Sequence, residues 1–120
     1  MSRRRQFAQP GEPLSPTAFY ILLSLRSQER HGYDILKKVR DASAGKINLG
    51  PGTLYTTLKR LLEAGVVVEA GDRPTADQGD PRRRYYRLSD RGHRDLAAEV
   101  RRMERALVLA RAAQLEPTHG

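Results

Sequence analysis

Thr53, Thr56, Thr57, Lys59 and Arg60 fall in one short segment and combine hydroxyls with cations. Such a set hydrogen-bonds to base edges and neutralises phosphates, but it contains no nucleophile paired with a base. A second cluster, Arg82-Arg83-Arg84, adds three guanidinium groups, each able to fork onto a phosphate. The three histidines, His31, His93 and His119, stand at a helix start, on a surface helix and in the tail. None accompanies a serine or carboxylate pair in a way that implies acid–base or nucleophilic work. His93 and Asp95 are two apart and so do not share a helix face. There is no Gly-Lys-Ser phosphate loop, and no cysteine to hold zinc or form a disulfide. These residues predict a binding surface, not an enzyme, and call for no cofactor and no metal.

The bulk of the chain agrees. In 120 residues, 22 Lys and Arg stand against 14 Asp and Glu, a net charge of +8 with an isoelectric point near 10.4. That excess attracts polyanions: DNA, RNA or an anionic membrane. Apolar runs such as Ile21-Leu22-Leu23 and Val66-Val67-Val68 are far too short to span a bilayer. Arg3-Arg4-Arg5 is not followed by an apolar stretch, so no signal peptide is expected. The missing cysteines suit the reducing cytoplasm, which is the expected location.

Positioning these groups requires a scaffold, and its elements are legible. Residues 1–13, rich in Gln, Pro, Gly and Arg, read as a flexible basic N-terminal arm. Ser15-Pro16 starts a helix, with Ala18, Ile21, Leu22 and Leu25 on its buried stripe and an end near Ser27-Gln28. His31 to Asp34 opens a second helix, closed by Ala44-Gly45. Ile47 and Leu49 alternate with polar neighbours and predict a very short strand. Gly50-Pro51-Gly52 leads into a third helix over 50–64, where Leu54, Leu58, Leu61 and Leu62 line one side. The polar cluster therefore lies on the other side. Three threonines, mediocre helix formers, fit a face serving contact more than helix stability.

The period then changes to two. Val66 to Glu69 and Arg82 to Leu88 predict a hairpin with a Gly, Asp and Pro-rich tip from Gly71 to Pro81. Tyr86 and Leu88 share one face of the returning strand, and Tyr85 and Arg87 the other. Alternation means that the three arginines cannot all point the same way, and Asp72, Asp77 and Asp80 should keep the tip clear of a polyanion. Ser89 caps a last helix in which Leu96, Val100, Met103, Leu107 and Ala110 make a heptad-like seam. Taken to Arg111 this helix is about 33 Å long and overhangs a small core. Its seam either packs on its own domain or, as expected here, joins a second copy. Residues 116–120 predict a disordered tail.

The expected fold is mainly α with a small β-hairpin: a winged helix-turn-helix over 14–88 and a C-terminal dimerisation helix over 89–115. In that arrangement the third helix enters the major groove and the hairpin's arginines reach the backbone or minor groove of double-stranded DNA. Ordinary solvated faces are the plain alternative for both clusters. A winged domain that binds protein or RNA is the competing partner class, though it need not carry arginines on the wing. Tyr55, beside Leu54, reads equally as a DNA contact or as partly core.

Leu14-Ser15-Pro16, His31-Gly32-Tyr33, Gly50-Pro51-Gly52-Thr53-Leu54-Tyr55, Leu58-Lys59-Arg60-Leu61, Gly65-Val66-Val67 and Arg84-Tyr85-Tyr86-Arg87-Leu88-Ser89-Asp90-Arg91-Gly92 together resemble the PadR-type transcriptional regulators. The likeness spans roughly residues 14–110, with the single last helix of that family's short subgroup. It implies a homodimer, usually a repressor, on a palindromic operator. It places Tyr33 near the DNA backbone, where packing between helices is the alternative. It also implies a small-molecule effector near the dimer interface. Drug-responsive members stack flat ligands on a tryptophan of the last helix, and this chain has no Trp.

Overall fold

The computed structural model describes residues 13–73 and 83–113. Its elements run α1 (Pro16–Ser24), β1 (Arg30–His31), α2 (Gly32–Ala42), α3 (Pro51–Glu63), β2 (Val67–Arg73), β3 (Arg83–Leu88) and α4 (Asp90–Ala112). The expected basic arm, the wing tip with Arg82, and the C-terminal tail lie outside the described residues.

Local chemistry sets the helix ends. Ser15 Oγ accepts from the Ala18 amide at 3.1 Å, and Pro16 supplies helical φ at the first position. The helix ends at Ser24, short of the expected Ser27-Gln28. The Leu25 and Arg26 amides tighten onto Leu22 and Leu23 carbonyls, while Arg30 Nε donates to the Ser24 carbonyl. After α2 the chain reverses through Ala44 and Gly45, both at positive φ. Here the short strand expected at Ile47 and Leu49 is absent. The Ile47 amide, which a strand would have given to a neighbour, donates instead to Ser43 Oγ at 2.9 Å.

The strand that does form beside the hairpin is β1. Its two residues pair antiparallel with β3, Arg30 opposite Tyr86 and His31 opposite Tyr85. The sheet order is β1-β3-β2. β2 and β3 are joined in register from Val67–Leu88 to Arg73–Arg83, with an irregularity between Glu69 and Gly71. Gly71 takes φ of 101° there, which a side chain would resist.

Ile21, Leu22, Ile35, Leu54, Leu58 and Leu61 form the centre of one core, closed by Val66, Val67, Tyr86, Leu88 and Leu96. α4 lies across it at close range: a Cβ on Gly92 would fall on the Val66 carbonyl oxygen. Ser89 fixes the same junction, its Oγ accepting from the Gly92 amide at 3.0 Å and donating to the Gly65 carbonyl at 2.6 Å. Farther along, buried Glu99 accepts from the Leu14 amide at 3.1 Å and pairs with Arg102. The 23 residues of α4 make a rod of about 34 Å, so its distal half projects past the core.

Candidate nucleic-acid interface

Burial of the leucine stripe decides which way α3 faces. Leu54, Leu58 and Leu61 are at most 1% exposed, so the residues between them turn outward. Thr53, Thr56, Lys59 and Arg60 are exposed, and Thr57 is half-buried. The Thr57 hydroxyl donates to the Thr53 carbonyl at 2.9 Å. Its proton is thus spent within the helix, leaving its oxygen as an acceptor. Tyr55, whose position was open, is 49% exposed. Its hydroxyl end lies over Gly32, where any Cβ would collide with it.

That contact closes one side of a cleft of about 350 Å³ lined by His31, Gly32, Tyr33, Tyr55, Arg83 and Arg84. Three elements build it: the β1–α2 junction, the first turns of α3, and β3. Tyr33 is 58% exposed and not packed between helices; the Lys37 ammonium sits 5.1 Å from its ring centroid, a cation–π distance. Arg84 lies 3.6 Å from Glu69 across the hairpin. Arg83 is half-buried, with Nη1 3.0 Å from His31 Nε2. The other ring nitrogen, Nδ1, caps α2 by accepting from the Asp34 amide at 3.3 Å. Tyr85 presents its ring edge-on to the imidazole at 5.3 Å. Partial burial lowers the His31 pKa below its ordinary value, and Arg83 and Lys37 push the same way against a smaller upward pull from Asp34. The shift favours the neutral imidazole.

The structure thus brings Tyr33, Tyr55, Arg83 and Arg84 together at the cleft, with Thr53, Thr56, Lys59 and Arg60 continuing along α3. Arg82 lies outside the described residues. His31 and Lys37 belong to the same surface and were not among the expected contacts. A histidine at a helix start signals only a cap; its reach to the wing depends on the β1–β3 pairing, which spacing along the chain does not reveal.

The seam on α4 is shorter than its spacing implies. Leu96 is 2% exposed and belongs to its own core, so it is not available to a partner. Val100 is half-buried and packs against that core. Met103 and Leu107 are 43% and 49% exposed, and Ala110 is half-buried. Leu109 and Val108 are exposed too, at 63% and 65%, on sides of the helix away from the seam.

Among the described residues no group of His, Cys, Asp and Glu could hold a metal ion, and no helix is long and apolar enough to cross a membrane. No curated protein matches the sequence closely enough to count as a relative. Solved structures do. A PadR family transcription regulator from Clostridium difficile is 26% identical, with a TM-score of 0.64 over 84% of this chain and 98% of that one. A PadR family regulator from Eggerthella lenta is 26% identical, with a TM-score of 0.60 over 86% and 87%. Bacillus subtilis PadR, solved in complex with operator DNA, is 26% identical with a TM-score of 0.58; the match covers 72% of this chain but 47% of that longer one. The family is one of transcriptional regulators, not enzymes. Its model, the transcriptional regulator PadR-like family, matches residues 21–98, more than half of the sequence, and the chain belongs to that family.

Proposed function

We propose that this regulator is a sequence-specific DNA-binding repressor that works as a homodimer on a palindromic operator. The observation that carries the reading is the division of α3. Its leucines are consumed by the core, while Thr53, Thr56, Lys59 and Arg60 stand exposed beside the cleft of Tyr55, Arg83 and Arg84. A helix of this width enters a major groove, where Thr and Lys or Arg tips reach base edges. The cleft then receives a backbone phosphate, and the wing follows the backbone or minor groove. The operator complex of Bacillus subtilis PadR supports duplex DNA as the partner, and duplex DNA in turn supports a cytoplasmic location. The exposed Met103–Leu107 stretch of α4 supports pairing with a second copy. Two copies related by a two-fold axis present their α3 helices to half-sites about 34–36 Å apart. Resemblance to a family whose members are usually repressors supports repression rather than activation.

The test is selection of duplexes from a random library by the purified protein, followed by titration of the enriched sequence. An inverted repeat that binds at least a thousandfold tighter than random DNA is expected. Equal affinity for all duplexes would reduce the protein to a non-specific binder.

A further inference from the structure

The end of α3 is fastened to α4 through three consecutive carbonyls. α3 stops in a glycine turn: Gly65 takes φ of 80°, and the Gly65 and Val66 amides fold back onto the Leu62 and Leu61 carbonyls at 3.0 and 3.1 Å. That reversal turns the carbonyls of Ala64, Gly65 and Val66 away from the helix, and residues at the start of α4 take all three. Arg91 Nη1 donates to Ala64 at 2.8 Å, Ser89 Oγ to Gly65 at 2.6 Å and the Ser89 amide to Val66 at 3.1 Å. The guanidinium also sets a positive charge at the negative end of the α3 dipole. Asp95, one turn along α4, holds it from the other side, 3.4 Å from Nε, and both side chains are partly buried. Elsewhere the two helices pack on different elements, α3 on α2 and β2, α4 on α1 and β3.

Resting on the reading that a homodimer presents two α3 helices to two half-sites, we infer that Arg91, held by Asp95, is a positioning residue. It fixes the angle between the helix that reads DNA and the helix that pairs with the second copy, and so sets the half-site spacing that the dimer accepts. It does this without touching DNA. The exposed residues Met103 and Leu107 lie about 18 and 24 Å along α4 from Arg91, so pairing there anchors the far end of the rod. One base pair added between half-sites moves the second by about 3.4 Å and turns it by about 34–36°. To follow, α3 must swing against an α4 held by the partner, and that swing draws the Ala64 carbonyl off Arg91. The hydrogen bond is kept on a correctly spaced duplex and broken on a misspaced one.

The test titrates the parent, R91M and D95A proteins with the selected inverted repeat and with versions one base pair longer or shorter between half-sites. The parent should prefer the selected spacing. In R91M that preference should fall about tenfold, the scale of a hydrogen bond to a charged group, chiefly because the misspaced duplexes bind more tightly. D95A keeps the arginine but frees it, and should relax the preference in the same direction even where R91M does not fold. A DNA contact would behave differently, weakening binding at every spacing alike and lowering the slope of log affinity against log salt by about one phosphate. A purely structural role would lower the melting temperature and leave the spacing preference intact. Either pattern overturns the inference, as does a parent indifferent to spacing. A parent that binds no duplex, or binds a single half-site as tightly as the repeat, would instead sink the reading of a dimer on a palindrome.

Discussion

Replacing Gly92 with Ala separates two physical effects of opposite sign. Gly92 lies in the first turn of α4 without a positive φ, so helix propensity alone favours Ala by about 0.8–1.0 kcal/mol. Packing opposes it. The added Cβ would land on the Val66 carbonyl oxygen and crowd a Leu88 methyl. That carbonyl already accepts from the Ser89 amide at 3.1 Å, so backing away loosens this bond and the Ser89 cap beside it. Overpacking costs about 1–3 kcal/mol, and each weakened hydrogen bond costs about 0.5–1.5 kcal/mol. Net destabilisation should be about 1–3 kcal/mol, read as a lower urea midpoint at unchanged slope. Gly32→Ala is the control, because the atoms nearest its Cβ would belong to the hydroxyl end of half-exposed Tyr55. That ring can swing out, so stability should hold while duplex binding weakens. A G92A protein as stable as the parent would refute the close docking of α4 on the Val66 backbone and Leu88.

Lys59→Ala or Arg60→Ala should each weaken binding to the selected duplex by about 1–3 kcal/mol if the side chain reads a base; equal loss on random DNA, measured by anisotropy, would make it a phosphate contact only. Met103 and Leu107 changed together to Glu should give a monomer by sedimentation equilibrium with the fold intact, whereas Leu96→Ala should cost about 2–5 kcal/mol because Leu96 belongs to the core. The lowered His31 pKa means that the unfolded chain binds more protons than the folded one. The stability from this ring is therefore complete above the ordinary value of 6.5 and declines as pH falls from there through the folded-state value. Urea midpoints between pH 7.5 and pH 5 should show that decline in the parent and a shallower one in H31N.

Where periodicity was strong, the chain could be read from its sequence. The Leu54–Leu58–Leu61 stripe gave α3 its orientation, Ser15-Pro16 gave the start of α1, and alternation put Tyr86 and Leu88 together on one face of β3, which the core shows to be the inward one. What escaped depends on long-range pairing or on single hydrogen bonds. Two residues cannot show alternation, so β1 was invisible. Ile47 and Leu49 did alternate, but the Ser43 hydroxyl took the amide that a strand would have used. A heptad spacing cannot tell which leucine faces its own domain, so Leu96 was placed in the seam and belongs to the core. The cleft could not be seen because His31, Tyr55 and Arg83 meet only when β1 joins β3.

In the proposed reading the polar side of α3 and the cleft beside it meet duplex DNA through charge and hydrogen bonding, and salt titration of the purified protein on its selected duplex tests this most directly. Log affinity should fall linearly with log salt at about −0.9 per phosphate neutralised, and the slope should shrink when Lys59, Arg60 or Arg83 is neutralised. An affinity indifferent to salt, or a slope untouched by those changes, would contradict it.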